Sequence, residues 1–254
     1  MLDDPRLEPY RALRPGPGRF IVEGALAVER LLGSGIEVES IVCTPRQRAR
    51  LVVPDGVPVI ELRKPQIAEL AGFDFHRGVL ACAKRPATRV GLSEEQRSRL
   101  CGRERLRIVV AEQLADPRNL GAVVRNVAAF SGDLLVVDAR GADPYSRLAI
   151  RAGVGNVFRM PIVVSDDLPR TVAELSRELR AEVIAATPQG AVELGHFRVP
   201  KRLVLLVGNE GAGLSEPLLE LAAHRVRIPV AAESDSINVA AATAVLLYAF
   251  AARG

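Results

Sequence analysis

The sequence predicts an α/β protein built around a mostly parallel sheet. Short apolar runs alternate with helix-like segments from residue 106 onward. The runs lack polar alternation, as expected of strands covered on both faces. The final segment, Ile237–Ala252, is apolar almost throughout and calls for burial on every side, within the chain or against a second subunit.

Taken in order, residues 20–83 read as a small α/β unit. FIVEGALAVERLLGSG has apolar residues at helical spacing and stops at Gly33 and Gly35. ESIVCTP, VPVIEL and HRGVLACAK follow as short strands. Residues 86–105 are polar and arginine-rich, with one amphipathic stretch (LSEEQRSRLCG), and suit a linker. The expected division is therefore 1–85, a linker over 86–105, and a second domain over 106–254. In that domain RIVVAEQL, DLLVVDA, RMPIVVS, AEVIAAT, RLVLLVG and HRVRIPV read as strands. Leu120–Phe130, Tyr145–Val154, Leu168–Leu179 and Glu216–Ala222 read as the helices between them, which implies a covered parallel sheet.

Composition narrows the function classes. The chain has 254 residues, 48% hydrophobic and 25% charged, as in an ordinary globular protein. No apolar run reaches the roughly 18 residues of a membrane span. MLDDPRLEPY has no apolar signal core, so a cytoplasmic protein is expected. Cys43, Cys82 and Cys101 lack CxxC spacing and read as buried or half-buried residues rather than a disulfide or metal site. The three histidines form no ligand pattern, so no metal is expected. Lys and Arg outnumber Asp and Glu 18 to 14 over residues 1–105 and balance at 16 to 16 over 106–254. The densest basic stretch holds Lys84, Arg85, Arg89, Arg97, Arg99, Arg103 and Arg105. A basic module beside a neutral one suits RNA docking next to a catalytic part, and a solvated arginine-rich linker explains Arg97–Arg105 equally well.

Three motifs carry chemistry. In DPRNLGAVVRNVAAF, Asp116-Pro117 makes a turn, and Asn119 and Arg125 lie at the edge where loop becomes helix. One arginine on an apolar helix suggests a charge held for an anion. A surface arginine with a helix-capping asparagine is the alternative. In LVLLVGNEGAGLS, a strand runs into Gly208, Asn209, Glu210, Gly211 and Gly213. Such glycines let a ligand approach the backbone and leave amides free to bind it. The loop follows a late strand and lacks Gly-Lys-Ser/Thr, so it is neither a P-loop nor a dinucleotide fingerprint. Glu210 would repel phosphate and suits a ligand with hydroxyls or positive charge. In RIPVAAESDSINVAAATAVLLYAF, Ser236 and Asn238 stand where the apolar helix begins, as caps or as part of a binding site.

The order of these motifs, N-x-G-x-x-x-R, then G-N-E-G-x-G-L, then I-P-x(n)-S-x-N-V before an apolar helix, resembles the SpoU/TrmH family of RNA ribose 2′-O-methyltransferases. The block DPYSRLAIRAGVGNVFRMPI also matches, and the resemblance spans about residues 106–252. It implies the SPOUT fold, an α/β sheet with a C-terminal deep trefoil knot. More loosely, it implies a small N-terminal RNA substrate-binding domain of an L30e-like ribosomal-protein fold. The cofactor would be S-adenosylmethionine, contacted by Gly208, Asn209, Gly211, Gly213, Ile228 and Ile237. Asn119, Arg125, Glu210, Ser236 and Asn238 would form the catalytic set, with Arg125 either clamping a phosphate, the role its lack of an acceptor when charged favours, or taking the hydroxyl proton. The resemblance further implies a homodimer through the last helix and the knot. A separate N-terminal domain points to ribosomal rather than transfer RNA. A transfer-RNA enzyme and a non-catalytic RNA-binding module are the competing readings. Departures from the pattern are small: Ile237 stands where leucine is commoner, and Asn156-Val157 where small or hydrophobic residues are usual.

Overall fold

A computed structural model describes residues 2–87, 91–231 and 236–253. Arg89 of the basic stretch and residues 232–235 of the third motif lie outside them. The chain forms two compact units: residues up to Ala87 together with Pro144–Arg159, and the remainder.

In the first unit β1 (Arg19–Glu23), α1 (Ala25–Leu32), β2 (Val38–Cys43), α2 (Pro45–Arg48), β3 (Val59–Glu61), α3 (Lys64–Ala71) and β4 (Val79–Lys84) build a four-stranded sheet ordered β1-β4-β2-β3. Strand β4 runs antiparallel to β1 and β2, and β3 parallel to β2. Phe20–Glu23, expected at the head of a helix, are strand instead. Phe20, Ile21 and Val22 are all buried, and β-branched and aromatic side chains favour that pleated setting. The chain turns from strand to helix at Gly24, whose φ of 96° is open only to glycine at little cost. A 3-10 stretch over Pro5–Leu13 had no periodicity to reveal it. It is anchored by buried Tyr10, whose hydroxyl donates to the Ser40 carbonyl at 2.7 Å and accepts from the Cys82 amide at 3.1 Å.

Residues 144–159 lie in sequence within the expected second domain but pack into this first unit, so the boundary is not a single cut. The Phe20 ring sits 5.6 Å from Tyr145 and 5.9 Å from Phe158. Arg30 Nη1 donates to the Val154 carbonyl at 2.6 Å. Gly155 approaches α1 so closely that a Cβ there would lie 2.8 Å from Ala27 Cα.

The second unit contains α4 (Glu94–Cys101), β5 (Leu106–Ala111), α5 (Pro117–Ala129) and β6 (Leu134–Asp138). The chain then passes through α6 (Arg147–Ala152) of the first unit and returns as β7 (Ile162–Ser165), α7 (Leu168–Leu179), β8 (Glu182–Ala186) and β9 (Val192–Glu193). It ends with β10 (Arg202–Val207), α8 (Glu216–Leu221), β11 (His224–Arg227) and α9 (Val239–Arg253). The seven strands are ordered β7-β6-β5-β10-β8-β11-β9 and all neighbours are parallel. Ile108, Val110, Val136, Val204 and Leu206 join α4, α7 and α8 in one core. The alternate residues Val109, Leu135, Val137 and Leu205 are buried as well, which is why β5, β6 and β10 show no polar face. Helix α5 packs along α9.

The expected linker holds a folded element. Ser93 and Gln96 form a capping box that starts α4, and Leu100 is buried in the core of the second unit. Arg97 pairs with Glu178 on α7, and Arg103 Nη2 reaches the buried Asp133 carboxylate at 2.5 Å. These arginines therefore serve the fold. Cys43 and Cys82 are buried and Cys101 is exposed on α4. Among the described residues no helix is long and apolar enough to cross a membrane, and no group of three or more His, Cys, Asp or Glu stands ready to hold a metal.

Candidate functional site

Because the sheet of the second unit is parallel, the carboxyl ends of β5, β8, β10 and β11 share one edge, where open α/β sheets bind ligands. The loops leaving these strands enclose a cleft of about 950 Å³. It is lined by Gly208–Leu214 after β10, Ile228–Ala231 after β11, Ser236–Asn238 before α9, and Thr187–Gln189 after β8.

The glycine loop is fixed by its own backbone. Asn209 and Gly213 exchange two 3.0 Å hydrogen bonds, N–H to carbonyl in each direction. The Asn209 carboxamide accepts from the Gly211 and Ala212 amides at 2.9 and 3.0 Å and donates to the Gln113 carbonyl at 2.7 Å. A Cβ on Gly208 would lie 2.3 Å from the Gly213 carbonyl carbon, so only glycine fits. Gln113 takes a φ of 45°, an uncommon left-handed conformation for a side-chain-bearing residue. Such strain is typical of functional loops.

Three loops meet at Glu210. Its carboxylate accepts from the Asn119 carboxamide at 2.8 Å, the Ala115 amide at 3.2 Å and the Asp116 amide at 3.5 Å. Asn119 Oδ1 in turn accepts from Asn238 Nδ2 at 2.9 Å. Asn238 Oδ1 caps α9 by accepting from the Ala240 amide at 2.9 Å and the Ala241 amide at 3.3 Å. Burial opposes charge on Glu210, but the Asn119 donor and the backbone amides outweigh it and hold its pKa below the usual carboxylate value.

Of the residues singled out in the sequence, Asn119, Gly208, Asn209, Glu210, Gly211, Gly213, Ile228, Ser236, Ile237 and Asn238 all line this one cleft. Arg125 does not. It is exposed on α5 and makes no hydrogen bond or ion pair among the described residues. The cap of α5 is Asp116, accepting from the Arg118 amide at 2.8 Å, so Asn119 is no capping residue and its side chain is available to Glu210 and Asn238. Sequence reasoning missed Thr187, Gln189, Glu193 and Arg227, which also line the cleft, with Glu193 and Arg227 paired. The turn TPQG after β8 was the available signal, since it follows a parallel strand at the same edge. The two-residue β9 that carries Glu193 gave none.

Residues 106–248 match the model of the SpoU rRNA Methylase family. An uncharacterized tRNA/rRNA methyltransferase of Mycobacterium bovis is 34% identical, over 97% of this chain and 88% of its own length. Among solved structures, an RNA 2′-O ribose methyltransferase superposes with a TM-score of 0.80 at 27% identity, covering 100% of this chain and 97% of that one. An AdoMet-bound rRNA methyltransferase from Sinorhizobium meliloti superposes with a TM-score of 0.78 at 27% identity, covering 98% and 95%. The chain belongs to the SpoU methylase family.

Proposed function

We propose that this SpoU-family chain transfers a methyl group from S-adenosylmethionine to a ribose 2′-oxygen of ribosomal RNA. The observation that carries the reading is the chain of hydrogen bonds Asn238–Asn119–Glu210, which joins the three motif loops around one cleft.

The residues present fit that cofactor. Among the described residues, two carboxylates, Glu193 and Glu210, and one guanidinium, Arg227, are the charged groups lining the cleft. This balance favours a cation over a polyphosphate. Gly208, Gly211, Gly213, Ile228 and Ile237 would hold the cofactor through backbone groups and apolar contact. When bound, S-adenosylmethionine supplies a methyl already activated by a positive sulfur. The protein's part is to align the hydroxyl, exclude water and stabilise charge. Glu210, saturated with donors and held ionised, is a weak base. Its role is to fix Asn119 and favour positive charge nearby. Arg125 has no acceptor when charged and clamps a phosphate of the target.

The reading includes the trefoil knot and a homodimer. Helix α9 is apolar all round, yet Val245 and Tyr248 are 41% and 64% exposed at helical spacing, a face suited to a second copy. Arg125 lies exposed on α5, the helix that packs along α9, so dimerisation would bring it toward the partner. Ribosomal RNA is favoured because an rRNA methyltransferase matches both units of the chain nearly end to end. Transfer of labelled methyl to ribosomal but not transfer RNA supports this choice. Labelling of transfer RNA alone overturns it.

A further inference from the structure

Helix α3 ends at Gly72, whose φ of 80° turns the chain out of the helix. The residues that follow alternate between core and surface: Phe75 is buried in one core with Tyr10, Leu70 and Leu80, whereas Phe73 remains 43% exposed. The two rings meet edge to face with centroids 6.1 Å apart, so the buried ring supports the exposed one. The Arg147 guanidinium, from α6, lies 5.7 Å from the centroid of Phe73. Buried Glu23 anchors it, with Oε1 3.5 Å from Arg147 Nη1 and 3.4 Å from Arg151 Nε. One buried carboxylate thus holds two guanidiniums, both partly exposed. Glu23 also shares the walls of a cavity with Arg77 and with exposed Leu26. The Arg77 guanidinium is exposed and makes no hydrogen bond or ion pair among the described residues. Asp74, beside Phe73, pairs with His76 at 3.2 Å. Phe73 and three arginines therefore form one patch of the first unit with a surplus of positive charge.

We propose that this patch binds a single-stranded segment of the RNA substrate, with Phe73 as the platform on which one unpaired base stacks. A singly exposed phenylalanine is ordinary. A phenylalanine supported by a second ring, with a guanidinium against it and further arginines around it, has the composition of a single-strand binding surface. Stacking uses the flat face that all four bases share, so it selects an unpaired base rather than a sequence. Arg147 is committed to the ring and to Glu23, which leaves Arg77 as the side chain to meet a neighbouring phosphate. An apolar protein partner would cover the ring but leave these guanidiniums without anions, whereas a polyanion neutralises them. Lys and Arg outnumber Asp and Glu 18 to 14 over residues 1–105, which adds attraction to the same backbone. The inference rests on RNA being the substrate and concerns how the chain grips it, since none of these residues lines the methyl-transfer cleft.

The test is binding of the full-length protein to a short labelled uridine strand over a range of salt concentrations. Phe73→Leu, which keeps an apolar side chain but removes the ring, should weaken binding about fivefold or more, and Phe73→Tyr should retain the unaltered affinity. Neither should change the dependence on salt, whereas Arg77→Ala should lower the slope of log affinity against log salt by about 0.7. Irradiation of the unaltered protein on a strand carrying 5-iodouridine keeps the proposal testable should Phe73→Leu fail to fold, and the cross-link is expected on Phe73. Equal affinity of Phe73→Leu and the unaltered protein overturns the proposal, as do absence of strand binding and cross-links confined to other residues. Loss of self-association in Phe73→Leu with RNA affinity unchanged overturns it as well, and gives the patch to a second copy of the chain. Methyl transfer to RNA by the same preparations reads the proposed function separately. Transfer with equal strand affinities counts against this patch alone, whereas ring-dependent binding without transfer counts against the assignment alone.

Discussion

Asn238 Nδ2 donates to Asn119 Oδ1 at 2.9 Å, joining residues 119 positions apart and tying the start of α9 to the start of α5. Each partner is committed on its other side, Asn119 to Glu210 and Asn238 to the cap of α9. Three strand-end loops are thereby held as one object.

Asn238→Asp separates the two duties of this residue. Aspartate still caps α9, so stability should be little changed, but it has no donor for Asn119 Oδ1. Methyl transfer should fall about tenfold or more with the melting temperature held. Asn238→Ala should lose activity and also about 1 kcal/mol of stability, read by chemical denaturation. Full activity in Asn238→Asp would show that the link is not needed.

Arg125→Ala should abolish methyl transfer and leave S-adenosylhomocysteine affinity nearly intact, because Arg125 lies outside the cleft lining. Its exposure on α5 and lack of partners among the described residues mean that stability should also be preserved, within about 0.5 kcal/mol. Turnover at the unaltered rate in that variant would remove Arg125 from the mechanism.

Gly208→Ala should disrupt the proposed cofactor cleft, since its Cβ would meet the Gly213 carbonyl carbon at 2.3 Å. The Asn209–Gly213 hydrogen bonds must open to make room. Calorimetry should then detect no S-adenosylhomocysteine binding, whereas Gly195→Ala, with nothing within 4 Å of its Cβ, should bind normally. Normal binding by Gly208→Ala would contradict the loop geometry.

Glu210 gives a pH dependence. Its pKa in the folded protein is lowered, so its contribution to stability is full above the ordinary glutamate value and is lost as pH falls through the depressed one. Cofactor affinity should accordingly hold steady from neutral pH down to the usual carboxylate range and decline only below it. In Glu210→Gln the acid decline should vanish. A midpoint near neutrality in the unaltered protein would mean that another group controls the cleft.

The parallel sheet was legible because strands covered on both faces read as unbroken apolar runs, and α7 begins and ends where its spacing placed it. Phe20–Glu23 misled because apolar residues ahead of a helix can pass for its first turn. Leu100 misled because one buried leucine in a polar stretch carries no periodicity. The packing of residues 144–159 with the first unit depends on long-range contacts such as Phe20 with Tyr145, which local pattern does not encode. In the cleft, the motif residues were readable from spacing and order. Glu193 and Arg227 were not, because a two-residue strand and one basic side chain look like any surface. The position of Arg125 outside the cleft follows from which face of α5 meets α9, and the sequence leaves that open.

The measurement that bears most directly on the central claim is mass spectrometry of nucleosides from RNA methylated by the purified protein with labelled S-adenosylmethionine. The added methyl is expected on the ribose of a single nucleotide of ribosomal RNA, with none transferred by Arg125→Ala. A methyl found on the base, or no transfer to any RNA by a protein that binds the cofactor, would contradict it.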